Sequence, residues 1–447
     1  MLRRYSTRSK LTLRKPAFPV KHIVENPNKY AESITARRVE LHNRQSMADL
    51  LAQHERVNEL KHQRIIAGAE RNAVVAKVKA AVSAQNKRDV LPEDLRAESA
   101  ANKQKISNID AQLGELEHGF SELLESVPNL VDPHVMSISG DYEVVHRTGP
   151  ESPAGDPSLD HVEIGSYLGI LDVPNASRVS GMGNAYLVGQ GALLEQALIA
   201  YALKKCTTEF GFTMVSPPSL VRPEYNAACG FRPRGVATQI YEVAGADLCL
   251  SGTAEIPLAS QLAMHALDPA DLPVKRCGVM RSFRAEAGSR GTDTRGLYRL
   301  HEFSKVEMFL WSAPQDSARL LHELVGYQQN VFAELLGDMG VPMRTINVAP
   351  SDLGNPAYQK FDIEAWMPGR QAWGELSSAS NCLDFQARRL HTTIKNEKEF
   401  VHTLNGTAIA VPRVILAILE NGFDKTTKTV KLPKALWPYM GKEITKQ

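Results

Sequence analysis

Apolar positions recur along this chain with two different periods, and the change of period divides it. From Ser46 to Ala84 the repeat is helical: Leu60, Ala67, Val74 and Ala81 follow a heptad, with Leu50, Val57 and Val78 on the companion line. This stretch has no Pro and a single Gly, Gly68, and is rich in Ala, Leu, Arg and Glu. Gln85 to Asp89 interrupts it, and Pro92-Glu93-Asp94 suits a new helix start, with Pro in the first turn. The second helix carries Ile106, Ile109, Leu113, Leu116, Phe120 and Leu123, in alternating steps of three and four. Two long helices with a short connection predict an antiparallel hairpin.

Val127-Pro128-Asn129 ends the hairpin, and Gly149, Pro150, Pro153, Gly155, Asp156 and Pro157 read as a connector and hinge. Beyond it the pattern mixes both periods. Leu193 to Lys205 reads as an amphipathic helix and Thr213 to Ser216 as a strand stopped by Pro217 and Pro218. Phe361 to Trp366 reads as a strand and Val414 to Leu419 as an apolar helix. The clearest alternation follows Gly296. It places Leu297, Arg299, His301, Phe303, Lys305 and Glu307 on one face, with Tyr298, Leu300, Val306 and Met308 mostly on the other.

This alternating run pairs with Phe283-Arg284-Ala285-Glu286 across a loop containing Gly288, Gly291 and Gly296 with Thr292, Asp293 and Thr294. One face of the hairpin would carry Arg284, Glu286, Arg299, Phe303, Lys305 and Glu307. Most alternating charged strands are solvated edges. Phe303 among the charges, and the donor-rich loop, point elsewhere. A nucleotide needs an aromatic ring for its base, arginines for its phosphates and a carboxylate for an exocyclic amine. The chain has no Gly-x-x-x-x-Gly-Lys-Ser/Thr phosphate loop.

Composition narrows the class. At 447 residues, more than one domain is expected. Net charge is only +2, so any nucleic-acid surface is local. No long apolar run predicts a membrane span. Cys206, Cys229, Cys249, Cys277 and Cys382 lack the spacing of a zinc site and read as reduced thiols. The local basic surface is the distal part of the hairpin: Arg56, Lys61, Arg64, Arg71, Lys77, Lys79, Lys87 and Arg88 stand against Glu59 and Glu70. Such charge can merely solubilise a coiled coil, or it can contact RNA. Residues 1–24 hold Arg3, Arg4, Arg8, Lys10, Arg14, Lys15 and Lys21 before the first acid, Glu25. That pattern reads as a mitochondrial transit peptide, the alternative being a disordered basic tail.

Three ordered stretches carry a resemblance: SGTAEIPL (Ser251–Leu258), FRAEAG with DTRGLYRLHEFSKVEMF, and KFDIEAWMPGRQAWGELSSASNCLDFQARR (Lys360–Arg389). Together they resemble the seryl-tRNA synthetases, a class II aminoacyl-tRNA synthetase family, over nearly the whole chain. The resemblance implies an α+β protein. Its N-terminal antiparallel helical hairpin, a coiled coil, would precede a class II domain with a mostly antiparallel sheet flanked by helices. The expected divisions are a transit peptide (1–24), a tRNA-binding helical arm (25–130), a linker (131–160) and a catalytic domain (161–447).

It also implies the chemistry: ligation of L-serine to tRNA(Ser) with ATP and Mg²⁺ through a seryl-adenylate, in the mitochondrial matrix. Arg284 would hold the α-phosphate, Glu286 the adenine amino group, Phe303 the adenine ring and Arg299 the γ-phosphate. Glu375 and Ser378 would hold Mg²⁺, and Arg413 would bind phosphate from the other side. Arg284, Glu375 and Arg413 form the expected catalytic set. Serine would contact Thr253, Glu255, Arg284, Glu307, Asn405 and Thr407, and the tRNA would meet Lys77, Lys79, Lys87 and Arg88. In the family, helix, strand and proline of the kind at 193–217 form a homodimer interface; here an internal packing helix is the alternative. The chain departs from the common family form at Thr407, Ala408 and Pro412, where Ser, Gly and Gly are usual. A catalytically retired paralogue, kept as an RNA-binding or complex-forming protein, should have lost the phosphate arginines or the Mg²⁺ carboxylate first; Arg284, Arg413 and Glu375 persist.

Overall fold

The computed structural model describes residues 13–85, 93–231, 240–285 and 295–446. Two compact units emerge, Phe18–Leu130 and Val131–Gln447, the latter with the segment before Phe18.

The first unit is built on α1 (Met47–Gln85) and α2 (Glu93–Ser126). The heptad residues Leu50, Val57, Leu60, Ala67 and Val74 are buried, as are Ile106, Ile109, Phe120 and Leu123 of α2. Ion pairs cross the seam: Lys61–Glu117 at 2.9 Å, Arg64–Asp110 at 2.6 Å, Lys105–Glu70 at 2.6 Å and Lys77–Glu98 at 3.4 Å. Part of the basic bias therefore has an acidic partner across the hairpin. Helix Val20–Glu25 belongs to this unit, with Ile23 and Tyr30 in its core.

The second unit is organised by an eight-stranded sheet. Its strands are β1 (Tyr142–Thr148), β2 (Thr213–Met214), β3 (Val274–Phe283), β4 (Glu302–Ser312), β5 (Met343–Val348), β6 (Gln359–Met367), β7 (Ala372–Asn381) and β8 (His402–Ala410). The order is β1-β5-β6-β7-β8-β4-β3-β2, antiparallel except for the β2–β3 pair. Its helices include α3 (His161–Leu168), α4 (Gln190–Lys204), α5 (Ser317–Leu335), α6 (Phe385–Leu390) and α7 (Val411–Gly422). Helices α3, α4, α5 and α7 share one large apolar core with the sheet. A second core lies on the other face, around Met280, Phe309 and Trp311 of β3 and β4, helix Glu255–Ser260 and α6.

The stretch 131–160, expected as a linker, supplies the edge strand β1, which pairs with β5. Its Gly/Pro-rich part, 149–157, is the loop after that strand. The alternating run after Gly296 also differs from expectation. Strand β4 begins only at Glu302, opposite Phe283. Residues 295–301 are turns and bends, because Gly296 adopts φ +67° and the backbone is held elsewhere.

Candidate active site

The site grows from one face of β4. Lys305 and Glu307, two residues apart, point the same way and form a buried ion pair at 2.5 Å. The β4–β8 register places Glu307 opposite Thr407 and Lys305 opposite Ala410. The pairing skips one residue of β8 here, a bulge that brings Thr407 onto the face of Glu307. The Thr407 hydroxyl lies 3.4 Å from a Glu307 oxygen. The departure at Ala408 falls on this bulge, and its methyl group is buried in the large core. Pro412 lies in the first turn of α7, where no N–H is needed.

Glu255 opens the short helix Glu255–Ser260 and is buried. One of its oxygens accepts from Gln386 Nε2 at 2.6 Å and Asn405 Nδ2 at 2.9 Å. Thr403 fixes the Gln386 amide by donating to its oxygen at 2.8 Å. The Thr253 hydroxyl accepts from the backbone N–H of Glu255 at 3.3 Å. Burial, reinforced by the charge of Glu307, pushes the Glu255 carboxyl up to about 7.

Arg284 follows the last residue of β3. Its Nε donates to the Gly252 carbonyl at 3.3 Å and its guanidinium stands 5.2 Å from the centre of the Phe303 ring. Its charge reaches both Glu255 and Glu375.

Glu375 and Ser378 are three apart on β7, which in a regular strand would put them on opposite faces. The β6–β7 register shifts between Ile363 and Glu364, so Ser378 lies opposite Asp362 and Glu375 opposite Glu364. Asp362 and Glu364 share a face, and the bulge therefore brings Glu375 and Ser378 together. Burial works against the Glu375 charge, but Arg413, Lys360, Arg284 and Lys305 outweigh it and hold the carboxyl below its ordinary range. Arg413 donates to the Glu375 backbone oxygen at 2.9 Å and stands 3.5 Å from its carboxylate. Asp362 pairs with Lys360 at 2.8 Å, while its buried Oδ1 has no partner among the described residues.

Thr253, Glu255, Glu307, Asn405 and Thr407 thus form one buried polar cluster, and Arg284, Phe303, Glu375, Ser378 and Arg413 are carried by the strands and turns around it. Arg299 is half-buried in the turn before β4. Glu286, Lys87 and Arg88 lie outside the described residues. Lys77 and Lys79 are exposed on α1, Lys77 beside Glu98. Sequence reasoning assigned no role to Gln386, Asp362 or Lys360. Gln386 falls within Lys360–Arg389, but its partner Glu255 is 131 residues away, and no spacing reports that pairing.

The chain matches known proteins over both of its units. Residues 241–422 match the family described as tRNA synthetase class II core domain (G, H, P, S and T), and residues 19–131 match the seryl-tRNA synthetase N-terminal domain. The mitochondrial serine–tRNA ligase of Saccharomyces cerevisiae is 41% identical over 446 residues, covering 96% of this chain and 95% of that protein. The serine–tRNA ligase of Treponema denticola is 38% identical, covering 76% of this chain and 81% of its own length. Among solved structures, the Pyrococcus horikoshii seryl-tRNA synthetase complexed with ATP superposes with a TM-score of 0.82 at 33% identity, covering 96% of this chain and 99% of the other. With both matching domains in order and identity sustained over nearly the full length, the chain belongs to the seryl-tRNA synthetase family of class II aminoacyl-tRNA synthetases.

Proposed function

We propose that the protein activates L-serine with ATP and transfers it to tRNA(Ser). The observation that carries this reading is the buried polar cluster of Glu255, Glu307, Asn405 and Thr407 beside the Arg284–Phe303 pair. Two carboxylates suit an ammonium and a hydroxyl on one small substrate. Polar recognition of a hydroxyl rejects alanine and glycine, because their binding leaves a buried polar group unpaired.

Activation joins a serine carboxylate oxygen to the α-phosphorus and breaks the bond to pyrophosphate. The carboxylate is already ionised, so no general base is required. Arg284 on one side and Arg413 on the other offset the repulsion between anions, and Phe303 stacks the base. The terminal ribose hydroxyl of the tRNA then attacks the adenylate carbonyl, releasing AMP.

The donors fit Mg²⁺: an ionised carboxylate on Glu375, the Ser378 hydroxyl on the same face, and on the adjacent strand the Asp362 oxygen that has no partner among the described residues. Glu375 and Ser378 would hold the ion, which supplies charge neutralisation to the phosphates. None of the three departures from the usual pattern falls on a residue that would hold the ion, and Thr407 keeps the hydroxyl of Ser. That favours an enzyme over a retired paralogue.

The helical arm, with exposed Lys77 and Lys79 on α1, is the proposed tRNA-binding element. A homodimer is supported by Val179, Met182, Leu193 and Met214, large apolar side chains exposed on or near α4 and β2. Mitochondrial location is supported by the acid-free start and by relatives named as mitochondrial from two yeasts. The described part of the expected 1–24 segment packs on the fold, which favours a cut earlier than residue 24. Ala17 N–H bonds the Arg388 carbonyl at 3.0 Å, the Lys15 carbonyl lies 2.7 Å from His391 Nε2, and Ile23 is buried. No described helix is long and apolar enough to cross a membrane.

Charging tests the whole reading. Purified protein, ATP, Mg²⁺ and labelled serine should yield acid-precipitable serine on a tRNA(Ser) transcript. No product, or equal product with alanine, would contradict it.

A further inference from the structure

The turn that returns from the nucleotide loop to β4 is seated on a buried pair with no place in the chemistry above. The backbone N–H of Leu297 donates to Nε2 of His161 at 3.1 Å. That bond requires Nε2 to be bare, so the proton sits on Nδ1, which donates to Glu420 at 2.9 Å. Both side chains are buried, His161 at 2% exposure and Glu420 at 0%. The second oxygen of Glu420 accepts the backbone N–H groups of Gly369 at 2.8 Å and Arg370 at 3.2 Å.

Two glycines show how closely this fits. A Cβ on Gly296 would lie 2.1 Å from His161 Nε2, and one on Gly369 would lie 2.8 Å from the Glu420 carboxyl carbon. Both flanking segments converge on Tyr298. Arg370 stacks on its ring at 3.5 Å and Arg413 at 4.6 Å, while Arg413 Nε also donates to its carbonyl at 3.2 Å. On the surface, Arg295 pairs with Asp160 at 3.3 Å and Glu163 at 3.0 Å, at the start of α3. The end of the loop is thus held at Arg295, Gly296, Leu297 and Tyr298, immediately before Arg299 and Phe303.

We propose that His161 is a positioning residue for ATP: backed by Glu420, it locks the Leu297 backbone and so fixes where Arg299 and Phe303 meet the nucleotide. The inference rests on the reading of those two residues as ATP contacts. It assigns His161 no contact with substrate. Its effect belongs to ATP binding and leaves serine binding alone, because Glu255, Asn405 and Thr407 sit on other elements and Glu307, farther along β4, is held by its own pair with Lys305.

Two substitutions separate the two bonds of His161. His161→Gln puts an acceptor near Nε2 and keeps the Leu297 bond; His161→Asn puts a donor near Nδ1 and keeps only the Glu420 bond. The full-length protein and both variants are compared by calorimetric ATP binding and by KM for ATP and for serine in pyrophosphate exchange. Thermal unfolding is followed in parallel. Expected is a roughly tenfold loss of ATP affinity in His161→Asn, the scale of one unmade buried hydrogen bond. Serine KM should stay within about twofold, and His161→Gln should recover most of the ATP affinity. Equal losses in both variants, or a fall in kcat with ATP binding unchanged, would overturn the proposal and leave His161 a packing residue. If wild type binds ATP but shows no serine-dependent exchange, the proposed function fails, while calorimetry still decides the role of His161.

Discussion

Arg413 and Glu375 are bonded twice: the guanidinium donates to the Glu375 backbone oxygen at 2.9 Å and faces its carboxylate at 3.5 Å. The first bond orients the arginine and the second keeps the carboxylate ionised. Arg413→Ala should therefore damage two functions at once. Serine-dependent pyrophosphate exchange should fall by on the order of 10²-fold, the scale of one lost transition-state donor. The Mg²⁺ concentration needed for half-maximal rate should rise as well. An Arg413→Lys variant that matches wild type in a Mg²⁺ titration would contradict this, since Lys cannot span both oxygens.

Glu307 is placed to read the serine hydroxyl together with Thr407. Glu307→Gln should raise the KM for serine and narrow the preference for serine over alanine, read as the ratio of kcat/KM in exchange. It also leaves Lys305 buried beside a neutral group, at a cost of about 3–5 kcal/mol in unfolding free energy. Urea denaturation would detect that loss. An unchanged serine-to-alanine ratio would remove Glu307 from recognition.

Glu255 gives the site a pH dependence. Its carboxyl, pushed by burial to about 7, is largely neutral at pH 6 and cannot hold an ammonium there. Serine should bind about ten times more weakly at pH 6 than at pH 8. The stability contribution runs the opposite way. The folded value lies above the ordinary 4.5, so that contribution is complete below 4.5 and is lost as pH rises through about 7. Glu255→Gln should flatten both profiles, measured by serine titration and by melting temperature against pH. A flat serine profile in wild type would show that Glu255 does not hold the ammonium.

The helical arm should matter for tRNA and not for activation. Replacing Ala52–Gln104 by a short Gly/Ser turn should leave exchange within a few-fold of wild type. It should raise the KM for tRNA(Ser) and flatten its salt dependence, by about 0.9 in log–log slope for each duplex phosphate that the arm no longer neutralises. Unchanged charging kinetics would reduce the arm to a solvated coiled coil.

The heptad residues of α1 and α2 were legible because a repeated period announces itself many times. The Arg284, Phe303, Lys305 and Glu307 face was legible for the same reason, since two-residue alternation sets a strand face. What escaped depends on pairing. The bulge that turns Glu375 and Ser378 to one side adds one residue to one strand and leaves no trace in composition. The same holds for the bulge at Ala408. Leu297 to His301 alternates like a strand, yet His161 holds the Leu297 N–H instead of a neighbouring strand. Gln386 and Glu255 meet only because the chain folds 131 residues back on itself.

Serine-dependent exchange of pyrophosphate into ATP, measured on wild type and Arg284→Ala without tRNA, tests the central claim most directly. Wild type should exchange with serine and not with alanine or glycine, and the variant should lose on the order of 10²-fold in rate with its fold intact by circular dichroism. An inactive wild type, exchange indifferent to the amino acid, or a variant as fast as wild type would contradict it.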